Sequence, residues 1–130
     1  MIEWKLLTDQ GSRENNEDCI GMLEKDDEYC FVLADGLGGH GYGEVASETA
    51  VKSVLEYFYE FGLDDENFNK AIDNAQLDII HTQNESVRYK DMKTTLVVLH
   101  ISKDRIRWAH VGDSRLYYFE NNKLIKRTLD

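Results

Sequence analysis

Ala46, Ala50, Val54, Phe58 and Phe61 recur at helical spacing, with Val51 and Leu55 beside them, so residues 44–61 predict an amphipathic helix. Gly62 is its natural stop. Asp64-Asp65-Glu66 brings the right charge to the amino end of a second helix, with Phe68, Ile72, Ala75 and Ile79 on its buried face. Both flanks read as strands. Residues 2–8 and 18–24 predict two strands separated by the loop 10–17, and Lys25-Asp26-Asp27-Glu28 predicts a turn into a third over 29–34. After Thr94, Thr95 to Leu99 is a buried run and Lys103-Asp104 a turn. Residues 105–111 alternate, with Ile106, Trp108 and His110 on one face. A strand over 116–119, a hairpin turn at Asn121-Asn122 and a returning strand over 123–127 close the pattern. The order β-β-β-α-α-β-β-β favours an α+β fold of antiparallel sheets with helices outside over a doubly wound parallel sheet.

Residues 31–43, Phe-Val-Leu-Ala-Asp-Gly-Leu-Gly-Gly-His-Gly-Tyr-Gly, break the hydrophobic pattern most sharply. An apolar run delivers Asp35 to a mouth with five glycines in eight residues. Glycine at that density costs backbone entropy, so it points to a site rather than a folding need. A second acidic cluster, Asn15-Asn16-Glu17-Asp18, lies upstream, and Gly112-Asp113-Ser114-Arg115 ends another apolar strand downstream. Three strand-end carboxylates suggest a metal centre with oxygen ligands. The plainer alternatives are a tight strand-to-helix connection at Asp35, a capping or turn role for Asp18, a solvated arginine at Arg13 and an Asx-type turn at Asp113-Ser114.

The chain has 130 residues, enough for one domain with a real core, and 42% of them are hydrophobic. A formal charge of −10 argues against a nucleic-acid or anionic-membrane surface. The amino terminus lacks the apolar segment of a signal peptide, and no run approaches a membrane span. Cys19 and Cys30 have no metal-type spacing. A disulfide between them needs neighbouring strands, and a reducing, cytoplasmic setting is the favoured expectation.

Gly36-Leu37-Gly38-Gly39-His40-Gly41 formally fits a dinucleotide-binding turn. That reading is rejected, because Asp35 at the turn would repel a pyrophosphate and another helix follows where a second strand should. The motifs Asp9-Gln10-Gly11-Ser12-Arg13-Glu14-Asn15-Asn16-Glu17-Asp18, Asp35-Gly36-Leu37-Gly38-Gly39-His40, Gly43-Glu44-Val45-Ala46-Ser47 and His110-Val111-Gly112-Asp113-Ser114-Arg115 resemble the bacterial branch of the PP2C family of metal-dependent serine/threonine protein phosphatases.

The resemblance implies two packed antiparallel sheets with a helical pair on each outer face, and a binuclear Mn²⁺ or Mg²⁺ site between them. It implies Asp18, Asp35 and the Gly36 carbonyl as metal ligands and Glu17 as the holder of a coordinated water. It implies Arg13 as the grip on the substrate phosphate and Asp113 as an acid of a third, weaker metal position. The substrate would be a phosphoprotein, as made by a bacterial Ser/Thr kinase.

Three departures qualify this. The Ser-Asp-Gly and Asp-Asn motifs that supply two more metal aspartates in the family do not occur after residue 115, so the chain resembles the family's amino-terminal portion. Lys93 stands where bacterial members usually carry Gly, and Leu37 where eukaryotic members carry a histidine, with His40 as a nearby substitute. The alternative in the same fold is a non-catalytic module that binds phosphoproteins or assembles with another chain. With one helical pair, the apolar run 96–99 and the Ile106, Trp108 and His110 face are expected to drive homo-oligomerisation.

Overall fold

A computed structural model describes residues 2–11, 16–38 and 42–129. Strand β1 (Asp18–Lys25) turns through Asp26 and Asp27 into β2 (Glu28–Leu37). Both turn residues have positive φ, 54° and 61°, which suits the right-handed twist of a two-residue hairpin. Helices α1 (Tyr42–Phe61) and α2 (Asp65–Glu85) follow, then a short 3-10 turn at Val87–Tyr89. The chain continues through β3 (Lys93–Thr94), β4 (Leu96–Ile101), β5 (Ile106–Val111), β6 (Tyr117–Glu120) and β7 (Lys123–Arg127).

The main sheet runs β1-β2-β4-β5, all antiparallel, with β3 extending the β4 side of β2. Its two faces are both apolar and pack against different elements. Cys30, Val32 and Ala34 of β2 and Leu96 and Val98 of β4 point to the helices. There they meet Ala50, Val51, Val54 and Phe58 of α1 and Phe68, Ala71 and Ala75 of α2. The alternate residues, Phe31, Leu33, Val97 and Leu99, line the opposite face together with Ile20 and Leu116. The β6–β7 hairpin sits on that side, where Tyr118 stacks on Trp108 at 6.5 Å and the His110 ring bonds the Leu129 carbonyl. It is the second, smaller sheet of the α+β arrangement.

The helices begin and end where residue chemistry dictates. Asp64 caps α2 by accepting from Asn67 N at 2.8 Å, and Gly62 takes φ +75° to end α1. Three expectations need correction. Residues 2–8 form no strand: they pair with no ladder among the described residues, though Trp4 packs against Tyr29 and, edge-on at 6.2 Å, against Phe31. Without a partner strand, an alternating pattern has nothing to hydrogen-bond to. Phe61 is exposed, its ring tilted against Tyr57 at the helix end instead of entering the core. Of the surface expected to drive association, Leu96, Val97 and Val98 are buried inside the sheet, whereas Ile106 is about half exposed. Cys19 and Cys30 are free thiols and face Ala34 and Leu23 across the β1–β2 ladder, not each other.

Candidate metal centre

Asp18 opens β1, and the register sets it directly opposite Asp35 of β2. Directly opposed residues of an antiparallel pair project from the same face with their Cβ atoms about 5 Å apart. That face is the one turned away from the helices, because the flanking Cys19 and Ala34 belong to the helix-facing core. Like charges so placed repel across the ladder, and a cation between them would relieve that repulsion. The Asp18 Oδ1 and Glu17 Oε2 atoms are both buried.

Glu17 is fixed from two sides. Its carbonyl accepts from Gly36 N at 3.0 Å and from the Ser47 hydroxyl at 2.7 Å, joining β2 and α1 at one residue. Its carboxylate lies against the first turn of α1, where a helix amino terminus favours negative charge. A Cβ added to Gly43 would come within 1.8 Å of Glu17 Oε2, and one added to Gly36 within 1.9 Å of the Gly43 carbonyl. The two glycines are therefore required for strand, helix and acid to close on one point. Asn16 aims the chain into β1, its Oδ1 accepting from Asp18 N at 3.1 Å.

The downstream motif reaches the same sheet end. Thr95 N donates to the Asp35 carbonyl at 3.0 Å, Asp35 N donates to Thr95 Oγ1 at 3.0 Å, and Thr95 Oγ1 lies 2.6 Å from Ser114 Oγ. The turn with Asp113 is thereby tied to Asp35, and Asp113 itself is exposed. Among the described residues no three His, Cys, Asp or Glu side chains form a metal-type group, so Asp113 does not join Asp18 and Asp35 in one cluster. Arg13 and His40 lie outside the described residues. Lys93 is exposed and pairs with Leu37, two positions beyond Asp35 on the same strand.

Hard, oxygen-only donors in facing positions, with glycines where backbone must approach closely, fit Mn²⁺ or Mg²⁺. Thr95 escapes a reading of the sequence alone, and Ser47 and Ser114 stand there only as motif positions, without the bonds they make. The only signal for Thr95 is register: pairing Leu33 with Val97 puts Thr95 across from Asp35.

The sequence profile described as protein phosphatase 2C matches residues 9–128. The serine/threonine phosphatase stp of Listeria welshimeri is 37% identical over 131 residues, which is 95% of this chain and 52% of that protein. A crystal structure of a bacterial serine phosphatase bearing a point mutation superposes with a TM-score of 0.81 at 32% identity, covering 92% of this chain and 57% of its own. The catalytic domain of serine threonine protein phosphatase PstP in complex with two manganese ions gives a TM-score of 0.75 at 28% identity, over 86% of this chain and 48% of its own. This chain thus spans about half the length of the relatives it matches.

Proposed function

The chain belongs to the protein phosphatase 2C family, and from that premise we propose that its paired carboxylates serve metal-dependent hydrolysis of phosphoserine and phosphothreonine in proteins. The observation that carries the reading is the direct opposition of Asp18 and Asp35, with Glu17 clamped between β2 and α1 beside them. Asp18, Asp35 and the Gly36 carbonyl hold Mn²⁺ or Mg²⁺. When bound, such cations supply charge neutralisation at the phosphoryl oxygens and a hydroxide nucleophile at neutral pH. Glu17 would hold a coordinated water. Arg13 offers a planar fork to the phosphate dianion, and Asp113 belongs to a further, weaker cation position. The substrate is a phosphoprotein of the kind a bacterial Ser/Thr kinase makes, and the setting is the cytoplasm. Among the described residues no helix is long and apolar enough to cross a membrane.

Titration with Mn²⁺ tests the site directly. Paramagnetic broadening should begin at the amides of Asp18, Asp35 and Gly36 and vanish in Asp35→Asn. Broadening that starts elsewhere removes the reading. Two carboxylates neutralise a two-cation centre incompletely, so this 130-residue chain should turn over p-nitrophenyl phosphate slowly. Rapid Mn²⁺-dependent turnover abolished by Asp18→Ala would instead mean that a further ligand acts, with Asp113 the first to test.

The lack of a three-residue ligand group among the described residues favours a second reading, a module that binds phosphoproteins or assembles without turnover. A phosphopeptide bound with Mn²⁺ and recovered without phosphate release would establish it.

A further inference from the structure

At Asp35 the sheet departs from a plain ladder. The register of Leu33 with Val97 and of Gly36 with Thr94 continues through Asp35 opposite Thr95, yet β3 ends at Thr94 and β4 begins at Leu96. Thr95 N still donates to the Asp35 carbonyl at 3.0 Å. The return bond does not go to the Thr95 carbonyl, which accepts from Thr94 Oγ1 at 2.8 Å instead. Asp35 N donates to the Thr95 hydroxyl at 3.0 Å. A side-chain oxygen has replaced a backbone oxygen in the ladder.

A carbonyl could only accept there, whereas a hydroxyl can also bond onward. Thr95 Oγ1 reaches Ser114 Oγ at 2.6 Å, and Gly112, at φ +94°, packs so closely that a Cβ on it would come within 2.8 Å of Thr95 Cγ2. Asp35, Thr95 and Ser114 thus form one chain of bonds from the carboxylate strand to the turn with Asp113.

We propose that Thr95 is a positioning residue: its hydroxyl, bonded to Asp35 N and to Ser114, sets the backbone at Asp35 and holds the 112–114 turn at the candidate metal centre. This rests on the metal reading above. The chemistry is that of an outer-shell partner, which fixes a ligand without touching the cation, and loss of such a partner weakens metal binding by roughly 10–100-fold. A bond serving the fold alone would be replaceable by the ordinary ladder bond to the Thr95 carbonyl, with no effect on the cation.

The test compares Thr95→Val, which keeps the shape, with Thr95→Ser, which keeps the hydroxyl, and with Ser114→Ala. Two readouts are needed: Mn²⁺ affinity from paramagnetic broadening, and metal-free hydrogen exchange at the Asp35 amide. Thr95→Val should weaken Mn²⁺ binding at least about tenfold and speed Asp35 exchange, and Thr95→Ser should restore both. Ser114→Ala should weaken Mn²⁺ binding while leaving the Asp35 amide protected, and it carries the test if Thr95→Val fails to fold. Unchanged affinity in Thr95→Val and in Ser114→Ala, or equal losses in Thr95→Val and Thr95→Ser, overturns the proposal. If wild type binds no Mn²⁺, the metal reading fails together with the positioning role, whereas a wild type that binds normally beside an unaffected Thr95→Val sinks the positioning role alone.

Discussion

Asp18 and Asp35 face each other across the β1–β2 ladder, and like charges so opposed repel. Asp35→Asn should therefore leave the metal-free chain as stable as before or raise its stability by up to about 1 kcal/mol, while removing the rise in melting temperature that Mn²⁺ produces. Calorimetric melts with and without Mn²⁺ separate the two effects. A clear loss of metal-free stability would show that Asp35 is there for the fold. A second residue adds an alkaline dependence of stability. Burial pushes the Cys30 thiol up to about 12 from 9.0. The unfolded chain releases that proton near 9.0, and the folded chain keeps it until about 12. Across that window the unfolded state binds fewer protons, so stability is intact below it and falls as pH rises through it. Cys19, raised by its burial and by Glu48 and Glu44, acts with the same sign. Urea midpoints taken at neutral pH and inside the window should drop in wild type and drop less in Cys30→Ala; parallel losses would exclude Cys30 as the cause.

Among the elements, α2 depends most visibly on its first turn. Asp64 caps it, and Asp65 is held by Arg105 at 2.5 Å and Arg107 at 2.6 Å, so the helix start is tied to β5 and the residue before it. Asp64→Ala should cost about 1 kcal/mol. The measurement is a urea midpoint, and a change within error would mean the arginines alone fix this end. Such local signals are what made the helices and hairpins legible: Gly62 ended α1, Asp64 opened α2, and Asn121 and Asn122 took positive φ at the β6–β7 turn. Strand identity was legible only where a partner exists. Residues 2–8 alternate plausibly, but pairing is not a local property. The candidate site divides in the same way. Asp35 and its glycines stood out by composition. The closure of Glu17 on Gly43, and the Thr95 hydroxyl in the ladder, depend on register and on a helix approaching a strand, which no window of sequence contains.

At the scale of the molecule, two opposed tendencies decide how copies behave. Among the described residues no strand pairs with the outer edges of β1 and β5 in the main sheet. Around β5 and the hairpin, Ile106, Val111, Phe119, Leu124 and Ile125 are each about half exposed. Contiguous apolar surface and unpaired strand edges both drive association. A net charge of −10 opposes it through long-range repulsion, which salt screens within a Debye length of about 10 Å at 0.1 M. The expected outcome is self-association that strengthens with protein concentration and with added salt, ending in a closed oligomer because charge accumulates with each added copy. Light scattering behind size exclusion, across a dilution series at low and high ionic strength, reads this directly. Phe119→Ser together with Ile125→Ser, on the exposed hairpin, should shift the chain towards monomer without altering Mn²⁺ binding at the Asp18–Asp35 pair. A strict monomer at every concentration and salt would show that the hairpin and β5 satisfy their own apolar surface. Association that weakens as salt rises would assign it to charge pairing instead.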